Sequence, residues 1–279
     1  MNATVRRLTN LVMNGLTFLA AIVVICPLLL ILGFLVYRGI SAINVDFFIH
    51  LPKPVGEAGG GVANAIVGSA IMIGLAASMG LPIGILGGVY LAESRDRRVP
   101  WLVRFLCDVL NGVPSIVFGI FAYTVIVLPM RRFSALAGGF ALGIIMLPIV
   151  VRTTEEMVRL VPDSLREAGL GLGLPRWKVT LRIVLPSARA GILTGVMVAI
   201  ARIAGETAPL LFTALGNRFW QQGLDQPIAA LPLQIYAYAI APYDDWHRQA
   251  WAAALVLIAM VFMASLAARL VTRRRVAAR

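Results

Sequence analysis

Six stretches of this chain are long and apolar enough to cross a lipid bilayer as helices, and that requirement leaves few folds open. In hydrocarbon no water can bond a free N–H or C=O, so a spanning segment must satisfy its backbone internally. The stretches are Gly15–Tyr37, Val62–Ala92, Leu102–Leu128, Phe133–Val151, Ala190–Leu215 and Trp251–Leu270. The second is rich in glycine and contains Pro82, which suits a tilted or kinked helix with close neighbours. The chain is 59% hydrophobic and only 14% charged, too little charge to coat a soluble surface. These features predict an all-α integral membrane protein with six transmembrane helices, a single domain over residues 1–279. Arg6 and Arg7 before an apolar run mimic a signal peptide. The run Leu11–Tyr37 is longer than such a segment and lacks a small-x-small cleavage site, so it reads as a retained first span. A shorter apolar patch, Ile228–Ala241, is broken by Pro232 and is expected to lie in the membrane interface.

The formal net charge of +12 would suggest nucleic acid in a soluble protein. Here the basic residues flank the apolar runs, where they fix orientation against the bilayer instead. With six spans, one face carries Arg6, Arg7, Arg95, Arg97, Arg98, the seven between Arg152 and Arg189, and the five from Arg269 to Arg279. Those are 17 of the 25 basic residues. The other face carries Arg38, Lys53, Arg131, Arg132, Arg218 and Arg248. Basic residues stay in the cytoplasm, so both termini are predicted to be cytoplasmic. Arg131 and Arg132 run against the rule. Trp101, Trp220, Tyr243, Trp246 and Trp251 fall near span ends, as interfacial anchors do.

Chemistry is sparse. Cys26 and Cys107 both lie in apolar runs, and His50 and His247 are isolated, so neither a disulfide nor a metal site is expected. There is no Ser/His/Asp or Cys/His constellation and no G-x-x-x-x-G-K-[ST] motif. The chain reads as no enzyme, without cofactor, and any ATP would be hydrolysed by a partner.

The polar segment from Arg152 to Arg189 is the most informative. Asp163 or Ser164 can cap a short helix with Glu167 in its first turns, and Gly171 and Gly173 can end it. Pro175 can open a second short helix, predicted to stop before Pro186. The small residues Ala168 and Gly169 would let another protein approach the backbone closely. Glu167-Ala168-Gly169, then Gly173, Ile183, Leu185 and Pro186 repeat the spacing of a cytoplasmic signature, E-A-A, three residues, G, nine residues, I, one residue, L-P. At these residues the chain resembles the inner-membrane permeases of binding-protein-dependent ABC importers, departing at Gly169 in place of the second Ala. The resemblance implies a type I permease fold in which this segment is a coupling helix that docks in a groove of the ATPase. Two further stretches, Asn111–Gly119 and Ala201–Pro209, are similar to the permeases of phosphate-specific importers, of the PstA-like kind. That resemblance implies an ATP-driven importer of inorganic phosphate, with a sister permease (PstC-like), two ATPase subunits (PstB-like) and a periplasmic phosphate-binding protein (PstS-like). Two alternatives stay open: a permease for another oxyanion such as molybdate or sulfate, and a membrane subunit that senses phosphate and signals.

Charges inside spans are costly and usually face a cavity or a partner. Arg202 and Glu206 are four apart and would share a helix face. Either they are a self-neutralising structural pair, or Arg202 lines the substrate path and Glu206 holds its guanidinium. Ser115, in the Pro114-Ser115 step, and Thr207, in the Thr207-Ala208-Pro209 step, are candidate path residues because a proline inside a span frees backbone groups that need polar partners. Arg104 and Asp108, also four apart, are expected to pair and snorkel at the cytoplasmic end of the third span.

Overall fold

The computed structural model is helical throughout and describes residues 3–277 apart from 58, 95 and 97; for 3 and 271–277 it describes the backbone alone. Arg95, Arg97 and Arg279, used above to orient the chain, lie outside the described residues. The elements are α1 (Ala3–Gly39), α2 (Val45–Ile49), α3 (Ala63–Glu93), α4 (Arg98–Gly112) and α5 (Ser115–Met130). They continue with α6 (Ala135–Arg159), α7 (Asp163–Gly171), α8 (Arg176–Ala204), α9 (Ala208–Leu211), α10 (Leu231–Ala239) and α11 (Asp244–Ala277). Five of these are long and apolar enough to cross a membrane: α1, α3, α6, α8 and α11. The sixth candidate is α4 with α5, bent by 102° at the break between them.

That break falls inside the predicted third span, Leu102–Leu128, so this span is not one straight helix. Pro114 has no N–H and clashes with a helical residue before it, so α4 ends at Gly112 and α5 restarts at Ser115 with Pro114 extended (φ −57°, ψ 134°). The bent pair still crosses the molecule. α3 and α6 pack in parallel: Gly80 lies on Met146, Gly84 on Val150 and Gly88 on Thr154. The chain between two parallel helices must return from one end to the other. Arg104 of α4 bonds Glu155 near the end of α6, whereas Phe121 and Tyr123 of α5 pack on Phe140 and Phe133 near its start.

Absent side chains set the α3–α6 distance. A Cβ on Gly84 would lie 2.7 Å from Val150 Cγ1, and one on Gly88 2.6 Å from the Val151 oxygen. Small residues permit such approach where lipid supplies no hydrophobic drive for helices to associate. Gly191 and Gly195 of α8 lie on Met157 and Thr153 of α6 in the antiparallel sense. Around this trio sits the main core, with Met72, Met146, Val150, Ile192 and Leu210 buried in it.

Several expected boundaries shift. α6 does not stop at Val151 but continues to Arg159, because the charges past Val151 bond one another along and across helices. The second short helix does not stop before Pro186: α8 runs unbroken from Arg176 to Ala204. A π turn at Thr180–Val184, in which the Leu185 N–H reaches the Thr180 carbonyl, widens the helix where the proline ring would clash. The same device precedes Leu128-Pro129, with a π turn at Tyr123–Val127. The fifth span therefore begins at Arg176, not Ala190, and ends at Ala204, not Leu215. The first half of the patch at residues 228–241 packs inside the protein, while Tyr236 and Ile240 in its second half are exposed. Ile228, Ala229, Ala230 and Leu231 are buried, and the Leu231 N–H donates to Ser69 Oγ of α3 at 2.8 Å. α1 stands apart: Gly39 lies against the backbone of Trp251, Phe34 meets the Trp251 ring edge-on, and most of the helix before Leu35 is exposed.

Candidate functional site: a break at mid-span and a brace at the end of α6

Two regions gather the predicted site residues. The first is at mid-span. Ile203, the neighbour of Arg202, lines the same small cavity as Leu142. Leu142 lies near the middle of the uncharged part of α6, so Arg202 sits well inside the apolar layer that α6 defines. Its side chain is 49% exposed. Glu206 does not share its helix, as spacing alone suggested, because α8 ends at Ala204. Glu206 sits in the Gly205–Thr207 break, 16% exposed, with Oε1 3.9 Å from Arg202 Nε. This is a loose ion pair that leaves hydrogen-bonding capacity on the guanidinium.

Facing this break is the break between α4 and α5. Gly119 packs on Pro209 so closely that a Cβ would lie 2.6 Å from the Pro209 Cα. Ser115 lies one turn before Gly119, and Thr207 two residues before Pro209; both are half-buried. The structure thus brings Ser115, at the start of α5, and Thr207, just before α9, into adjoining elements, with Arg202 in the last turn of α8 and Glu206 in the break beside Thr207.

The second region is at the far end of α6. Glu155, 2% exposed, accepts from Arg104 Nε of α4 at 2.6 Å and Arg152 Nη1 at 3.2 Å, and Arg159 Nη2 is ion-paired with it at 2.9 Å. Arg104 also donates to the Leu91 carbonyl of α3 at 3.1 Å. The expected Arg104–Asp108 pair does not form: Asp108 lies 3.4 Å from Arg152 instead. Glu155 was missed because its partners are spread over two helices, and local spacing pointed to Asp108.

Beside this brace lies α7. Pro162 precedes it, Asp163 stands in its first turn, and Gly173 closes it in a left-handed conformation (φ +78°) with its N–H on the Leu170 carbonyl. Glu167 and Ala168 are exposed. Gly169 is not: it is buried under α8, where an added Cβ would lie 2.7 Å from Ile183 Cδ1 and 3.0 Å from Val179 Cγ2. Its small size serves packing within the chain, while Ala168 presents a small surface outward. Ile183, Leu185 and Pro186 lie in and just after the π turn of α8 and are half-buried. Arg166, which motif spacing did not single out, reaches from α7 to Glu93 of α3 at 3.0 Å. A cleft of about 580 Å³ opens here, lined by Glu93, Arg159, Arg166, Arg176, Trp177 and Thr180 among others.

The model of the binding-protein-dependent transport system inner membrane components matches residues 84–276, more than half of the chain. The phosphate transport system permease protein PstA of Pasteurella multocida is 47% identical over 266 residues, covering 95% of each chain. The PstA of Yersinia pestis is 46% identical over 241 residues, covering 86% of this chain and 82% of that one. The PstA 1 of Mycobacterium tuberculosis is 38% identical over 279 residues, covering 97% of this chain and 92% of that one. This chain belongs to that permease family, among its PstA phosphate transport permeases. Its fold matches a chain of the inward-facing MetNI methionine ABC transporter with a TM-score of 0.59 and 16% identity, over 76% of this chain and 93% of that one. An amino acid ABC transporter crystallised with histidines matches at 0.56, with 17% identity, over 76% and 92%. The expected type I ABC importer permease fold is therefore the observed one. The chain is a multi-pass inner-membrane permease, not the ATP-hydrolysing subunit, and it works within an ABC transporter complex.

Proposed function

We propose that this chain forms one wall of a path for inorganic phosphate and that Arg202 is the phosphate-contacting residue in it. The observation that carries the reading is a half-exposed guanidinium well inside the apolar layer, held only loosely by Glu206. Such a charge in lipid costs about 2.5–3.5 kcal/mol on insertion scales, so it must face a partner or a water-filled route. A guanidinium suits phosphate because its planar fork makes paired hydrogen bonds. Glu206 orients it, and Ser115 and Thr207, beside the two helix breaks, supply hydroxyls to the same route. The remaining wall comes from a sister permease.

Both termini are cytoplasmic in this reading. The parallel α3–α6 arrangement requires the bent α4–α5 pair to be a crossing, which makes six. Arg132, which runs against the charge rule, is neutralised by Asp225 at 2.7 Å. A periplasmic phosphate-binding protein delivers the anion to the opposite face. Two ATPase subunits engage from the cytoplasm, one of them on α7. Glu167 and Ala168 meet the ATPase. Gly169 and Gly173 seat and close α7, and Ile183, Leu185 and Pro186 shape the part of α8 against which it rests.

The test is uptake of labelled phosphate by proteoliposomes holding the whole complex, with binding protein outside and ATP inside. Arg202→Ala is expected to abolish uptake while the complex assembles; normal uptake rejects the path role. Ala168→Arg is expected to release the ATPase from the purified complex, and retention of the ATPase rejects α7 as its dock.

A further inference from the structure

We infer that Arg166 is a positioning residue that passes the displacement of α7 into α3 and α6, with Glu93 as its counterpart. The inference rests on α7 being the surface that the ATPase grips. Its guanidinium is fully engaged. Nε and Nη2 both donate to Glu93 Oε1, at 3.2 and 3.0 Å. Nη1 donates to the Val161 carbonyl at 2.6 Å and to Asp163 Oδ1 at 3.2 Å, and Nη2 also donates to the Val158 carbonyl at 2.9 Å. Val158 lies in the last turn of α6 and Val161 just beyond it, where carbonyls lack intrahelical donors and a cation is favoured. Glu93 is the last residue of α3. One side chain of α7 thus joins the ends of two spanning helices.

The other attachment of α7 is of a different kind. Against α8 it packs through Gly169 beneath Val179 and Ile183, an apolar contact without directional bonds. Its covalent link to α8 passes through a short turn at Gly173. The ends of α3, α4 and α6 are already one unit, because Arg104 bonds both Glu155 and the Leu91 carbonyl. α7 joins that unit through four directional bonds from Arg166, two to Glu93 and one each to the Val158 and Val161 carbonyls, and charge-assisted bonds resist both stretching and rotation. A push on α7 therefore moves α3, α4 and α6 together. Above them the chain bends at Pro114, the end of the α4 arm, so the same push reaches the break at mid-span.

The test compares Arg166→Gln and Glu93→Gln with the parent in the reconstituted complex, measuring ATP hydrolysed and phosphate moved in the same vesicles. Hydrolysis is expected to stay within about twofold while phosphate moved per ATP falls about fivefold or more, the scale of a typical coupling energy. Arg166→Lys keeps the charge but loses the fork, and is expected to fall between. An unchanged ratio in both variants overturns the inference, as does a proportional fall of hydrolysis and transport, which a merely structural role would give. If Arg166→Gln fails to assemble, Glu93→Gln decides alone, because it leaves the carbonyl bonds of Arg166 intact. Loss of the ATPase from the Glu93→Gln complex also overturns it, by making Glu93 part of assembly. The Ala168→Arg result is independent of this ratio, so failure of the dock and failure of the linkage are told apart.

Discussion

The α7 end of the molecule and the break after α8 each hold an arginine–glutamate pair, in opposite settings. Arg104 and Glu155 meet at 2.6 Å across two helices, with the carboxylate buried and two further arginines on it. Arg202 and Glu206 stand 3.9 Å apart, and the guanidinium is half-exposed. In the first region the Glu155 carboxylate is taken up by three arginines, and its bond to Arg104 holds two helices together. In the second the backbones are held by the bare contact of Gly119 with Pro209, and the charge remains available. A site that binds and releases an anion needs the second arrangement, since a guanidinium saturated by protein oxygens has nothing left for a ligand.

The comparison is broken most directly at Glu155. Removing one partner of a buried ion pair leaves uncompensated charge and typically costs about 3–5 kcal/mol. Glu155→Ala is expected to lower the thermal stability of the purified complex by an amount in that range. Arg202→Ala, at an exposed and loosely paired position, is expected to change it by less than about 1 kcal/mol. Equal losses in the two variants would erase the distinction between a structural and an available charge.

A smaller effect sharpens the other side. Gly119→Val puts methyl groups where even a Cβ would lie 2.6 Å from Pro209 Cα. Backbone cannot move aside as a flexible side chain does, so overpacking is expected to cost about 1–3 kcal/mol. Because the contact joins the two breaks, phosphate uptake should fall even where the protein still folds. Uptake that survives Gly119→Val would separate the Ser115 side from the path.

The spans were legible in the sequence because long apolar runs have a single physical explanation. Their ends were less so. Pro186 reads locally as a helix stop, and only a π turn, which leaves no compositional trace, carries α8 through it. The opposite error occurred at Ala190–Leu215, where apolar composition continued past the true helix end at Ala204. Of the site, the motif spacing picked out α7 and the residues around Ile183 and Leu185, and the rarity of intramembrane charge picked out Arg202. What stayed hidden were the partners at long range. Arg104 has an acid four residues on, yet bonds one 51 residues away. Arg166 has neighbours of the right charge, yet its defining bond is to Glu93.

The smallest expected effect concerns Gly169, the position where the motif has alanine. Alanine there gains helix propensity, about 0.8–1.0 kcal/mol over glycine. Its Cβ would lie 2.7 Å from Ile183 Cδ1, a chain end that can rotate away, and 3.0 Å from Cγ2 of Val179, which is stiff at χ1. The two contributions oppose each other and are of similar size, so Gly169→Ala should change the stability of the complex by less than about 1 kcal/mol and leave uptake near the parental rate. Gly169→Leu cannot be absorbed by one rotation and should detach α7 from α8 while leaving the bonds of Arg166 in place. If transport survives that detachment but not the loss of Arg166, the α7 end works through its charged bonds. If the reverse holds, the apolar seat of α7 on α8 transmits the motion, and the contrast drawn between the two regions fails at its α7 end.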